Sequence, residues 1–151
     1  MAKNRLLELP EPTDDQEPAT KGYVDALTKF IWKDASLSAM SDLARTEYLD
    51  WTALDLAYET SPNAKLAILR LRIKANVVGT GDYSFICVRK HGTTPGYYPL
   101  VRLDKAGATI NVYNHESLIV GMDTDQLIDY RIWVGTGWEL ESRIEVLGYI
   151  E

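Results

Sequence analysis

The sequence predicts a mainly β protein, a C-terminal antiparallel β-sandwich of about eight strands, jelly-roll-like, behind an extended arm and a short helix. Three observations predict it. In "KLAILRLRIKA" (65–75), Leu69, Leu71, Ile73 and Ala75 alternate with Arg70, Arg72 and Lys74, which puts apolar side chains on one face of a strand and three cations on the other. The last segment, "WELESRIEVLGYI" (138–150), repeats the pattern, with Leu140, Ile144, Val146 and Ile150 against Glu139, Glu141, Arg143 and Glu145. Third, turn signals recur at short intervals, at Val78-Gly-Thr-Gly, His91-Gly-Thr-Thr-Pro-Gly, Lys105-Ala-Gly, Asn114-His-Glu and Gly135-Thr-Gly.

Between those turns lie strand-like runs at 82–90, 97–103, 108–113, 116–122 and 127–134. If the basic row of Arg70, Arg72 and Lys74 lies opposite Glu139, Glu141 and Glu145 on a neighbouring strand, cross-strand pairs help set the register. A solvated sheet face and a charged docking face both fit such rows.

Ahead of the strands the composition differs. Leu6, Leu7 and Leu9 precede Pro10, Pro12 and Pro18, and proline fixes φ and biases its predecessor toward extended backbone, so this part reads as an arm. Thr20 then caps a helix expected to run to about Lys33, with Val24, Leu27 and Ile31 along one stripe and Tyr23 and Phe30 beside it. A helix of roughly a dozen residues is marginal in water. Its stripe must pack on its own chain or on copies of itself, and the pattern alone leaves both open. Residues 34–50 are rich in Ser, Ala and Asp and read as a linker, with one or two helical turns open at Leu37, Met40, Leu43 and Ala44. The resulting division is arm and helix 1–33, linker 34–50, sandwich 51–151.

The bulk numbers narrow the function. A chain of 151 residues, 46% hydrophobic and 25% charged, fits one globular domain with an appendage. A net charge of −6 argues against a nucleic-acid partner, which needs clustered Lys and Arg. The absence of a long apolar stretch argues against membrane insertion and against a signal peptide. Cys87 is the single cysteine, so neither an intrachain disulfide nor a cysteine metal cage forms.

Catalytic signatures are missing: no nucleophile elbow, no phosphate-binding glycine loop, no His-Glu-x-x-His. His91 and His115 are expected at turns, as exposed polar residues. "DTDQLID" (123–129) is superficially similar to a calcium loop but lacks its bend glycine and terminal glutamate. No catalytic, cofactor or metal residue is therefore assigned. Nine tyrosines and four tryptophans are many for this length. Trp51 and Trp133 are expected in the core or at a subunit interface, whereas Tyr97, Tyr98 and Trp138, near Gly-rich turns, form a candidate stacking platform for a sugar or other flat ligand.

Residues 3–26, "KNRLLELPEPTDDQEPATKGYVDA", resemble the recurring segment of bacteriophage tail-fibre and related virion fibre proteins. Leu9-Pro10 and Pro12 match its lead, Asp14-Asp15-Gln16 its acidic bend, and Ala19-Thr20-Lys21-Gly22-Tyr23-Val24-Asp25 its end; Glu17-Pro18 stands where that segment more often has Asp-Ala. Residues 51–75 resemble, more loosely, the start of a small β-sandwich module of phage structural proteins. The resemblance implies trimerisation, with three copies joined along Tyr23, Val24, Leu27, Phe30 and Ile31.

The expectation that follows is a non-enzymatic, homotrimeric virion protein without cofactors. Its arm contacts other virion proteins, and its sandwich projects as a fibre, tip or surface appendage that attaches to a host-surface glycan or protein. A capsid or baseplate decoration protein is the alternative. Behind these stand a carbohydrate-active enzyme, which needs a carboxylate pair among Asp104, Glu116, Asp123 and Asp125, and a cellular carbohydrate-binding module.

Overall fold

The computed structural model describes residues 29–94, 99–105 and 113–151. Eight strands follow one another: β1 (Phe30–Arg45), β2 (Leu49–Asp55), β3 (Leu66–Val77), β4 (Tyr83–Lys90), β5 (Leu100–Asp104), β6 (Tyr113–Gly121), β7 (Leu127–Trp133) and β8 (Glu139–Ile150). They form two four-stranded sheets, ordered β1-β8-β3-β6 (sheet A) and β2-β7-β4-β5 (sheet B), and every pairing is antiparallel. Six of the seven connections pass from one sheet to the other, only β4–β5 staying within a sheet, which is the wrapping of a jelly roll.

The strands with the clearest sequence pattern occupy the sheet centres. β3 lies between β8 and β6, so its alternation is enforced from both sides. Leu69, Leu71, Ile73 and Ala75 are at most 1% exposed and join Leu140, Ile144 and Val146 of β8 in the core, as their periodicity predicts, but Ile150, expected on that face, is turned outward because the register shifts between Val146 and Gly148 and puts Tyr149 inward instead. From sheet B, Ile86 and Val88 of β4, Val101 and Leu103 of β5, and Ile128 and Ile132 of β7 close the same core. Each such side chain, fully buried, contributes about 1.5–3 kcal/mol.

The expected charge rows also meet. Arg70 lies in register with Glu145 and Lys74 with Glu141, and the ion pairs are Arg70–Glu145 at 3.6 Å, Arg72–Glu145 at 3.3 Å and Lys74–Glu141 at 3.9 Å. Arg143 joins the lattice by binding Glu141 at 3.0 Å.

Four expectations are corrected. Phe30–Lys33, expected as the end of a helix, is β-strand paired with β8, Phe30 opposite Ile150 and Trp32 opposite Gly148. Aromatic and β-branched side chains favour that pleated surface, and β8 supplies the hydrogen bonds. Adjacent residues of a strand face opposite ways, so Ile31 packs against its own core while Phe30, 49% exposed, points out. No coiled coil is present among the described residues; Tyr23, Val24 and Leu27 lie outside them. Residues 34–50, expected as a linker, supply most of β1 and the start of β2, so sheet A takes its first strand ahead of Trp51. Finally, Asn114-His-Glu is no turn but part of β6, with His115 opposite Arg72.

The glycine turns at Val78-Gly-Thr-Gly and Gly135-Thr-Gly lie where the spacing predicts and lock together, whereas the glycines of Lys105-Ala-Gly and Thr94-Pro-Gly lie outside the described residues. A Cβ on Gly79 would fall 2.2 Å from the Thr136 carbonyl oxygen, and one on Gly135 would fall 2.6 Å from that of Tyr83. Only bare backbone allows the 78–82 and 134–138 turns to approach this closely, and Gly81 N–H donates to Thr136 O at 3.0 Å.

Candidate functional site

Alternation along β4 and β7 builds one amphipathic surface on the outside of sheet B. With Ser84, Ile86 and Val88 turned inward, Tyr83, Phe85, Cys87 and Arg89 must face out. On β7 the inward Ile128 and Ile132 leave Asp129, Arg131 and Trp133 outward. Register then sets Phe85 beside Trp133, Cys87 beside Arg131 and Arg89 beside Asp129, while β5 adds Arg102 next to Phe85 and Asp104 next to Tyr83.

The rings of Tyr83, Phe85 and Trp133 form a ladder, with centroids 6.2–6.5 Å apart and planes within 25° of parallel. Tyr48 meets Trp133 edge-on at 5.5 Å. Guanidinium groups cover neighbouring rings: Arg102 lies 4.2 Å from Tyr83, Arg89 4.0 Å and Arg131 4.8 Å from Trp51, and Arg131 5.6 Å from Phe85. Such contacts are worth about 0.5–2 kcal/mol each. Tyr48 and Trp133 keep 44% and 42% of their surface in solvent.

The cations of this face are balanced. Asp129, 5% exposed, accepts from Arg89 at 3.0 Å and lies 2.6 Å from Nδ1 of His91. Burial pushes its carboxyl up, but the hydrogen bonds and charges of His91 and Arg89 outweigh that and hold it below the usual carboxylate range. Asp104 accepts from Arg102 at 2.7 Å. Asp50 accepts from the Tyr48 hydroxyl at 2.7 Å and the Trp51 amide at 2.8 Å; the Tyr48 bond foremost lowers the pKa of Asp50, and the same bond raises that of Tyr48. Rings fixed between matched donors and acceptors make this face an amphipathic surface.

Nucleophilic chemistry finds less here. Cys87 is fully buried, its thiol donates to the Arg131 carbonyl at 3.8 Å, and burial pushes its pKa up, so the reactive thiolate is disfavoured. His91 and Asp129 form an oriented pair, but among the described residues no hydroxyl or thiol bonds to that imidazole. Among the described residues, too, no group of three His, Cys, Asp or Glu side chains is set to hold a metal ion. The four acids considered as a carboxylate pair are distributed: Asp104 ends β5, Glu116 is within β6, and Asp123 spends its Oδ1 on the amides of Asp125 (3.0 Å) and Leu127 (2.7 Å). Residues 123–126 are thus a turn held by the Asp123 carboxylate, with Gln126 at φ 63°, and 127–129 already belong to β7.

The sequence-predicted stacking residues fare differently from this ladder. Trp138 is 1% exposed and donates its indole N–H to Gly81 O at 2.9 Å, which pins the two glycine turns together and leaves no ring face for a ligand. Tyr97 and Tyr98 lie outside the described residues. Of the two places expected for Trp51 and Trp133, the core is excluded: both stand on the outer face of sheet B. The ladder escaped sequence reading although a signal existed: in "DYSFICVRK" and "LIDYRIWV" the faces opposite the aliphatic residues carry rings and arginines.

The site has a definite place in the molecule. Lys29 pairs with Glu151 through both backbone bonds (3.3 and 2.9 Å), and the Lys65 amide donates to Ile150 O at the start of β3. The Tyr83 end of the ladder flanks the turns at the other end of β3, whose twelve residues span about 36–40 Å. The ladder and the point where the N-terminal segment joins the sandwich therefore lie at opposite ends. Compared with known proteins, the sequence matches no family model and none of the curated proteins.

Proposed function

We propose that this chain is a homotrimeric, non-enzymatic virion protein of a bacteriophage that attaches to the host surface through the outer face of sheet B. The virion reading rests on the resemblance of residues 3–26 to phage fibre segments. The attachment reading is carried by one observation: the ladder of Tyr83, Phe85 and Trp133, with Trp133 and its edge-on neighbour Tyr48 exposed, lies at the end of the sandwich remote from Lys29. A segment that joins the particle at one end and presents rings, arginines and carboxylates at the other suits a short tip or appendage. Neutral glycans and protein loops both have the apolar faces and hydrogen-bonding groups such a surface recognises.

The test is immunoelectron microscopy on intact particles of the phage that encodes the chain. Label on the tail or its fibres is the expected result, and label confined to the head surface turns the reading to decoration. Particles that carry no label and no trace of the chain contradict it outright.

A further inference from the structure

Sheet A divides its outer surface into unlike halves. Toward the glycine-turn end lies the lattice of Arg70, Arg72, Lys74 and Arg143 around Glu141 and Glu145, four cations to two carboxylates. Toward the Lys29 end, register aligns two rows across all four strands: Phe30, Ile150, Leu66 and Gly121, then Trp32, Gly148, Ile68 and Ile119. The second row works because Gly148 has no side chain. A Cβ there would fall 2.4 Å from Ile31 O and 3.0 Å from the Trp32 ring, so the indole lies across β8 only over a glycine. Phe30 meets that indole edge-on at 5.1 Å.

This band is apolar and open. Trp32 is 61%, Ile119 56% and Phe30 49% exposed, and β1 and β6, which carry them, are the two edges of the sheet. Large aromatic and aliphatic side chains gathered on one face beside strands that end the sheet among the described residues mark an association surface.

We infer that the band is buried against second copies of this chain, the bands of three protomers facing one another around the trimer axis. The inference rests on the homotrimer reading and gives that trimer a surface within the sandwich. Chain continuity selects the occupant. Leu27 is three residues before Phe30 and Val24 six, so full extension keeps them within about 11 Å and 22 Å of the band's edge. Twenty-eight residues, with the apolar Val24 and Leu27 close before Phe30, thus join the sandwich at the margin of its apolar face. Where three such segments run together, three bands are brought within reach of one another.

The test measures the solution mass of the full chain at micromolar concentration for the wild type, Ile119→Glu, Trp32→Glu and, on the other sheet, Trp133→Glu. The expected result is three times the 17.0 kDa chain mass for the wild type and Trp133→Glu, and the single-chain mass for the two band variants, with unchanged circular dichroism. Trimeric band variants alongside a monomeric Leu27→Asp overturn this inference and leave the trimer reading standing, with its interface confined to the N-terminal segment. A monomeric wild type overturns both. Should the charged variants fail to fold, Ile119→Cys answers instead: maleimide must label it at least tenfold more slowly than Val77→Cys, which is exposed at the far end of β3, and equal rates overturn the inference.

Discussion

The outer faces of the two sheets solve the same problem with different chemistry. Both alternate against one core, and both are crossed by arginines and acids. On sheet A the cations meet carboxylates across strands, as with Arg70 and Arg72 on Glu145, and the rings are set apart in a band at one end. On sheet B the guanidinium groups lie over rings, and acids hold them from the side, as Asp129 holds Arg89 and Asp104 holds Arg102. Segregation on sheet A yields an apolar surface suited to copies of itself. Interleaving on sheet B yields a surface whose rings each have a polar neighbour, suited to a partner that also mixes the two.

Tryptophan gives the comparison its sharpest test. Trp138→Ala empties a core position and removes the indole bond to Gly81, and is expected to lower unfolding free energy by about 3–5 kcal/mol in a denaturant melt. Trp133→Ala loses a half-exposed ladder ring and should cost no more than about 1.5 kcal/mol while weakening host attachment. Equal costs would make the ladder part of the core and end its reading as a site.

Asp129→Asn comes next, at about 1–3 kcal/mol, because Arg89 and His91 lose a buried ionic acceptor. The pH dependence follows in sign. The folded carboxyl titrates below its unfolded value of about 3.9, so its stabilisation is complete above that value and disappears as pH falls through the folded pKa. Melting temperature below about pH 4 should therefore fall more steeply for the wild type than for Asp129→Asn. Parallel slopes would mean that the carboxylate is not held by its partners.

On sheet A the effects are smaller. Glu145→Gln, which weakens two ion pairs at once, should cost about 1 kcal/mol, and about 1 M salt should remove most of that difference. Lys74→Ala, at a longer and more exposed pair, is expected to cost less than about 0.5 kcal/mol in the same melt. A larger loss there would make the lattice a structural staple.

How much of this the sequence foretold depends on where each strand sits. β3 and β8 were legible because each has neighbours on both sides and one face in the core, so period two survives in Leu69, Leu71, Ile73 and in Leu140, Ile144, Val146. β1 is an edge strand with bulges after Trp32, Ser38 and Asp42; most of its residues are exposed, and Ser, Asp and Ala there imitate a linker. β2, the edge of sheet B, was masked likewise by the bulge between Leu49 and Thr52. Trp138 was misread because a Gly-rich turn suggests an exposed ring, whereas the turn is glycine-rich to let backbone pack around that ring. The His91–Asp129 contact, between residues on different elements, has no local signal at all.

In the proposed arrangement one end of the sandwich assembles and the other presents the site. Sedimentation of the full chain tests it most directly, alone and with Ile119→Glu or Trp133→Glu. The expected result is a trimer that Ile119→Glu breaks into single chains and that Trp133→Glu leaves intact. A trimer that dissolves on Trp133→Glu and withstands Ile119→Glu would contradict it, since the ladder would then be the assembly surface.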